Sequence, residues 1–103
     1  MAHLICPFDD LKPGKAIRVK IADQAIAIVK DKAEVIYAID DKCSHGEISL
    51  SEGFVEGETI ECWAHGAKFS LKTGEALTLP AYEPVKTYEV FVEDGQIYLE
   101  YAE

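Results

Sequence analysis

Apolar and polar residues alternate along most of this chain with the two-residue period of β-strands, and short turn-forming runs break the alternation. Residues 16–40, AIRVKIADQAIAIVKDKAEVIYAID, are rich in Val, Ile and Ala and are interrupted at Ala22-Asp23-Gln24 and at Lys30-Asp31-Lys32. That pattern predicts three antiparallel strands joined by tight turns. The C-terminal KTYEVFVEDGQIYLEYAE repeats the signal around Asp94-Gly95, a dipeptide that accepts the two positive φ angles of a type I′ hairpin turn. Helical periodicity is weak throughout, no internal repeat is present, and the seven glycines fall at turn positions. The expected fold is all-β, a small antiparallel β-sandwich or barrel with Greek-key or meander links.

One stretch departs from the alternation. Residues 41–69, DKCSHGEISLSEGFVEGETIECWAHGAKF, hold two of the three cysteines and two of the three histidines, as Cys43-x-His45, sixteen residues, then Cys62-x-x-His65. Residues 42–46 and 63–68 read as loops, with ETIECW as a strand between them. Such an excursion would bring two loops together at one tip, as a subdomain of about residues 41–82 inserted in the β base of a single 1–103 domain.

Composition restricts what that tip can do. At 103 residues the chain is one domain, a size that buries roughly 60–70% of its unfolded surface. Its 49% apolar and 28% charged content is that of a globular protein. The N-terminus lacks a basic segment followed by an apolar run, and nowhere do eighteen apolar residues follow one another; the expectation is a cytoplasmic protein with no membrane span. An odd cysteine count in a reducing compartment favours metal ligation over a disulfide framework. The net charge of -9 argues against nucleic acid or an anionic membrane as partner.

Cys6 and His3 lie outside the cluster and have no partners at ligand spacing, so they read as an ordinary small apolar residue and a non-ligating histidine. Cys43, His45, Cys62 and His65 are different, because each loop holds one thiol and one imidazole next to a glycine. A structural Cys₂His₂ zinc site usually pairs like with like. A zinc-stabilised structural or interaction module therefore remains an alternative. A binuclear 2Fe-2S cluster, with thiolates on one iron and imidazoles on the other, explains why both loops have the same composition.

Cys43-Ser44-His45-Gly46, sixteen residues, and Cys62-Trp63-Ala64-His65-Gly66 resemble the signature C-x-H-x₁₆₋₁₇-C-x-x-H of the Rieske family. The strand-rich flanks and LTLPAYEPVKTYEV resemble that family's base domain and the proline loop over its cluster. The resemblance implies one Rieske-type 2Fe-2S cluster, with Cys43 and Cys62 on the inner iron and His45 and His65 on the outer. It further implies that Gly46 and Gly66 let backbone N–H groups approach the bridging sulfides, and that Leu79, Pro80 and Ala81 form an apolar lid. Trp63 and Phe69 are expected to pack beside the cluster.

Ile48 and Ala64 stand where Rieske subunits of quinol-oxidising complexes carry a disulfide, and Ala67 where they carry a serine that bonds a cluster sulfur. The sequence is thus most similar to the soluble ferredoxins of bacterial aromatic-ring-hydroxylating dioxygenase systems. This implies a low-potential one-electron carrier rather than an enzyme. Its partners would be a flavin-containing NAD(P)H-dependent ferredoxin reductase and a terminal oxygenase, and the carrier is expected to be monomeric. The Rieske-like small subunit of an assimilatory nitrite reductase is the alternative within the same fold. The chain is too short for an oxygenase's mononuclear iron domain, and only His3 is left to serve one. Asp40, Asp41, Glu47, Glu52, Glu56, Glu58 and Glu61 are expected to form an acidic collar that steers basic partner surfaces to the tip.

Overall fold

A computed structural model of the chain describes residues 2–42, 49–63, 66–78 and 83–101. Among the described residues there are ten strands, β1 (Ala2–Pro7), β2 (Lys15–Ile21), β3 (Gln24–Lys30), β4 (Ile36–Asp40), β5 (Phe54–Glu56), β6 (Thr59–Glu61), β7 (Lys68–Ser70), β8 (Thr87–Tyr88), β9 (Val90–Glu93) and β10 (Gln96–Glu100). Every pairing is antiparallel, in three sheets ordered β1-β10-β9, β2-β3-β4-β8 and β5-β6-β7. Among the described residues helix is limited to two single 3₁₀ turns, Phe8–Asp10 and Leu50–Glu52. The all-β expectation holds.

The four-stranded sheet is covered on both faces, and β3 shows why. Ile26 and Ile28 pack with Leu11, Ala38, Ile97 and Leu99 against the β1-β10-β9 sheet. Ala27 and Val29 point the other way, into a second core with Ile39, Leu50, Val55, Ile60, Cys62, Ala67, Phe69, Leu71 and Val85. A strand with no solvated face reads as a continuous apolar run, which is what AIAIV is. Full burial of each isoleucine contributes about 1.5–3 kcal/mol. The second core matters for function, because it seats the β5-β6-β7 sheet and the two loops on the base.

The turns divide into one kind foreseen and one not. Asp94 (φ 53°) and Gly95 (φ 75°) are both left-handed, as a type I′ turn requires. Ala22 (φ 50°) and Asp23 (φ 68°) adopt the same conformation without any glycine, so β2 and β3 form a two-residue hairpin in register Ile21 opposite Gln24. The second break is not a tight turn at 30–32: β3 continues through Lys30, which pairs with Ile36, and the connection runs through residues 31–35. Lys30 is a strand residue because its stem is buried while its Nζ donates to the Phe8 carbonyl at 2.7 Å and lies over the Phe8 ring. Buried Asp31 then closes the loop, accepting the Ala33 and Val35 N–H groups at 2.9 Å each.

Candidate metal centre

Of the four predicted ligands, Cys62 is among the described residues; Cys43, His45 and His65 lie outside them, as do Gly46, Glu47, Ile48, Ala64, Leu79, Pro80 and Ala81. The ETIECW strand is observed as β6, but it ends at Glu61, so Cys62 directly follows it rather than lying within it. The β6–β7 ladder runs up to Glu61 opposite Lys68. One step further, the Cys62 N–H donates to the Ala67 carbonyl at 2.7 Å and the Gly66 N–H donates to the Cys62 carbonyl at 2.9 Å. Residues 63–66 therefore lie between Cys62 and Ala67, which are main-chain paired. Gly66 sits at φ +73°, the left-handed region that favours glycine. The expectation that Gly66 lets neighbouring backbone N–H groups approach a bridging sulfide concerns the missing side chain, and the Gly66 N–H itself donates to the Cys62 carbonyl.

Cys62 is a free thiol, fully buried in the second core beside Ala67, Leu50 and Phe69. A metal would bind this sulfur as the thiolate. The position fits the inner ligand of a cluster, which needs a thiolate screened from water, and Phe69 packs there as expected.

The other loop is closed by a different device. Lys42 and Ser49 form an isolated antiparallel bridge, with residues 43–48 between them. At its base stands Asp41, only 2% exposed. Its main chain donates to the Ala25 carbonyl at 3.1 Å and accepts the Leu50 N–H at 2.5 Å. Its carboxylate accepts the Ser49 hydroxyl at 2.6 Å and the Ser51 N–H at 2.9 Å, and pairs with Arg18 Nε of β2 at 3.3 Å. Sequence reasoning assigned Asp41 to the acidic collar; the structure makes it an internal clamp. Neither Arg18 nor Ser49 carried a sequence signal, because Arg18 occupies an ordinary outward position of a distant strand.

Asp40 also leaves the collar. Its carboxylate accepts the Tyr88 hydroxyl at 2.5 Å, the Gln24 amide at 3.0 Å and the Lys86 N–H at 3.3 Å. Burial, then the Asp40 hydrogen bond and charge, push the Tyr88 phenol well above its ordinary range. Glu61 is half-buried, 3.9 Å from Lys68. The exposed acids among the described collar residues are Glu52, Glu56 and Glu58.

The return of the first loop meets β6 at Gly53. A Cβ built there would lie 2.1 Å from the Glu61 carbonyl oxygen, although its φ of -84° suits any residue. Glycine is required here by space, so that the return of the first loop can lie against the residue preceding Cys62. Beside this junction an open groove of about 370 Å³ is lined by Arg18, Ala25, Asp41, Lys42, Ser49, Glu52 and Trp63. Trp63 is 50% exposed. Its side chain lines this groove rather than the core that holds Cys62 and Phe69.

Among the described residues no helix is long and apolar enough to cross a membrane. Residues 1–89 match the model of the Rieske [2Fe-2S] domain. The chain is 46% identical over 99 residues to the 3-phenylpropionate/cinnamic acid dioxygenase ferredoxin subunit of Escherichia coli K12, covering 95% of this chain and 92% of that one. The ferredoxin of carbazole 1,9a-dioxygenase from Nocardioides aromaticivorans IC177 superposes with a TM-score of 0.90 at 32% identity over 96% of each chain. A chain from the complex of reduced oxygenase and oxidized ferredoxin in carbazole 1,9a-dioxygenase superposes with a TM-score of 0.88 at 34% identity, covering 95% of this chain and 100% of that one.

Proposed function

Because the chain belongs to the Rieske [2Fe-2S] family and carries that family's cluster as a ferredoxin-type electron carrier, we propose that Cys43, His45, Cys62 and His65 are the four ligands. The cluster accepts and releases one electron at a time. What this chain supplies is a seat: a buried thiol at Cys62, a main-chain-closed hairpin carrying His65, and a clamped loop carrying Cys43 and His45. Residues of about 41–82 would form the cluster-binding insertion. The single observation that carries the ligand reading is Cys62, a fully buried free cysteine whose main chain pairs across the segment containing His65 and which shares a core with Leu50, just past the other loop.

The carrier would take electrons from a flavin-containing reductase and pass them to a terminal aromatic-ring-hydroxylating oxygenase, working as a monomer in the cytoplasm. The naming of its relatives as dioxygenase ferredoxin subunits supports that reading. Docking would use the face that bears Trp63 and the exposed Glu52, with Glu56 and Glu58 contributing longer-range steering.

The test is spectroscopic. Wild-type protein should contain iron and acid-labile sulfide in equal amounts and show a Rieske spectrum; His65→Ala should lose the cluster or be badly depleted of it, and Cys6→Ser should retain it. A colourless Cys6→Ser protein beside a normal His65→Ala spectrum would overturn the ligand assignment.

A further inference from the structure

We infer that Asp41 is the positioning residue of the first ligand loop, holding the Cys43 and His45 segment in register through a clamp completed by Ser49, Ser51 and Arg18. The inference rests on the reading that Cys43 and His45 are ligands, and it adds a residue outside the ligand set to the machinery that shapes the centre.

The geometry carries it. One carboxylate oxygen accepts the Ser51 N–H, while the other is shared by the Ser49 hydroxyl and Arg18 Nε. Ser49 in turn lies 2.8 Å from the Ser51 hydroxyl. The same residue's main chain bonds Ala25 on β3 and Leu50 beyond the loop. Asp41 therefore joins both ends of the segment 43–48 to each other and to the two adjacent base strands β2 and β3. Hydrogen bonds to an ionised acceptor are stronger than neutral ones, and a buried carboxylate left without them is strongly disfavoured. Each bond thus holds both the aspartate and the loop end that it reaches. Arg18 is 60% exposed in its side chain, so its ion pair is the weakest member and the two serine contacts are the main ones.

The molecule supplies its own control. Asp31 is also buried, also follows a strand directly, and also caps its loop through its carboxylate, there by two backbone N–H groups, but that loop carries no proposed ligand. Asp41→Asn places an amide donor where the Ser49 hydroxyl and Arg18 Nε both donate. Asp31→Asn makes a matched change in the base.

The experiment compares wild type, Asp41→Asn, Ser49→Ala, Arg18→Gln, Asp31→Asn and His45→Ala as purified holoproteins. It measures the decay of visible absorbance under a ferrous-iron chelator, the electron paramagnetic resonance g-values of the reduced protein, and the far-ultraviolet melting temperature. Asp41→Asn should lose its cluster roughly 10- to 100-fold faster, the range for residues supporting a metal's ligands, with displaced g-values. Ser49→Ala should follow in the same direction by less, and Arg18→Gln by least. Asp31→Asn should lower the melting temperature while its cluster lifetime and g-values stay those of wild type.

A wild-type lifetime and spectrum in Asp41→Asn would overturn the clamp. So would a lifetime in Asp31→Asn shortened as much as in Asp41→Asn, because the effect would then be general stability. His45→Ala separates the two levels of the reading: a wild-type spectrum there overturns the ligand assignment itself, whereas cluster loss there with an unaffected Asp41→Asn overturns the clamp alone.

Discussion

The two loops that hold the proposed ligand pairs have the same chemical composition and opposite constructions. Residues 63–66 lie between Cys62 and Ala67, which are closed on each other through main-chain hydrogen bonds, with Gly66 in the left-handed region. Residues 43–48 are flanked by an isolated bridge, and a buried carboxylate does the work that a ladder does in the other loop. Main-chain closure depends little on side-chain identity, whereas side-chain closure depends on one atom pair at a time. Mutational sensitivity around the site should therefore be lopsided: high at Asp41 and Ser49, low at the exposed Trp63.

Gly53→Ala should have the largest effect, because it strikes the point where the two constructions touch. The added methyl would overlap the Glu61 carbonyl, 2.1 Å away, and main chain on both sides leaves it little room to move. Overpacking of this kind costs about 1–3 kcal/mol. Denaturant unfolding of Gly53→Ala should show that loss together with poor cluster incorporation; full stability would mean that the loops are not coupled there.

A smaller effect is expected at Thr78. Its hydroxyl accepts the Lys68 N–H at 2.9 Å and donates to the Gly66 carbonyl at 3.4 Å, on the hairpin side alone. Thr78→Val removes both bonds at an exposed site where water can substitute, so the loss should be about 1 kcal/mol or less. Faster amide exchange at Lys68, with the Leu50 and Ser51 amides unchanged, would sharpen the contrast between the loops; equal acceleration at all three would erase it.

The smallest effect is invisible at neutral pH. Tyr88, which bonds Asp40 just before the clamp, has its pKa raised by burial first and then by that bond and charge. Unfolded tyrosine ionises near pH ~10, so above that pH the unfolded chain releases a proton that the native one keeps. Stability then falls as pH rises, and below pH ~10 the shift contributes nothing. A pH series of denaturant midpoints should show this alkaline limb in wild type and a shallower one in Tyr88→Phe.

Much of this architecture was legible in the sequence, and the parts that were not share a cause. The I′ hairpin at Asp94-Gly95, the strand before Cys62 and the quasi-symmetric ligand spacing are local patterns, and local patterns can be read from composition and period. Lys30, Asp40 and Asp41 were misread because a charged residue was taken as solvated. Each is instead satisfied by something far away in the chain: Phe8 for Lys30, Tyr88 and Lys86 for Asp40, Arg18 for Asp41. Period and spacing say where a residue lies along an element, and only the packing of separate elements says what it meets.

The pairing of β1 with β10, Ala2 opposite Glu100, has a consequence for how the molecule is made. Every other strand pair except β4 with β8 joins strands adjacent in sequence, so the β2-β3-β4 and β5-β6-β7 meanders can assemble as they leave the ribosome. β1 emerges first and acquires its partner last, after paying the loop-closure entropy of nearly the whole chain. Until then its Leu4, Ile5 and Cys6 belong to an unpaired apolar edge, the kind of segment that neighbouring nascent chains can capture. The loops around the cluster can thus be shaped early, while the yield of the protein is decided at the opposite seam.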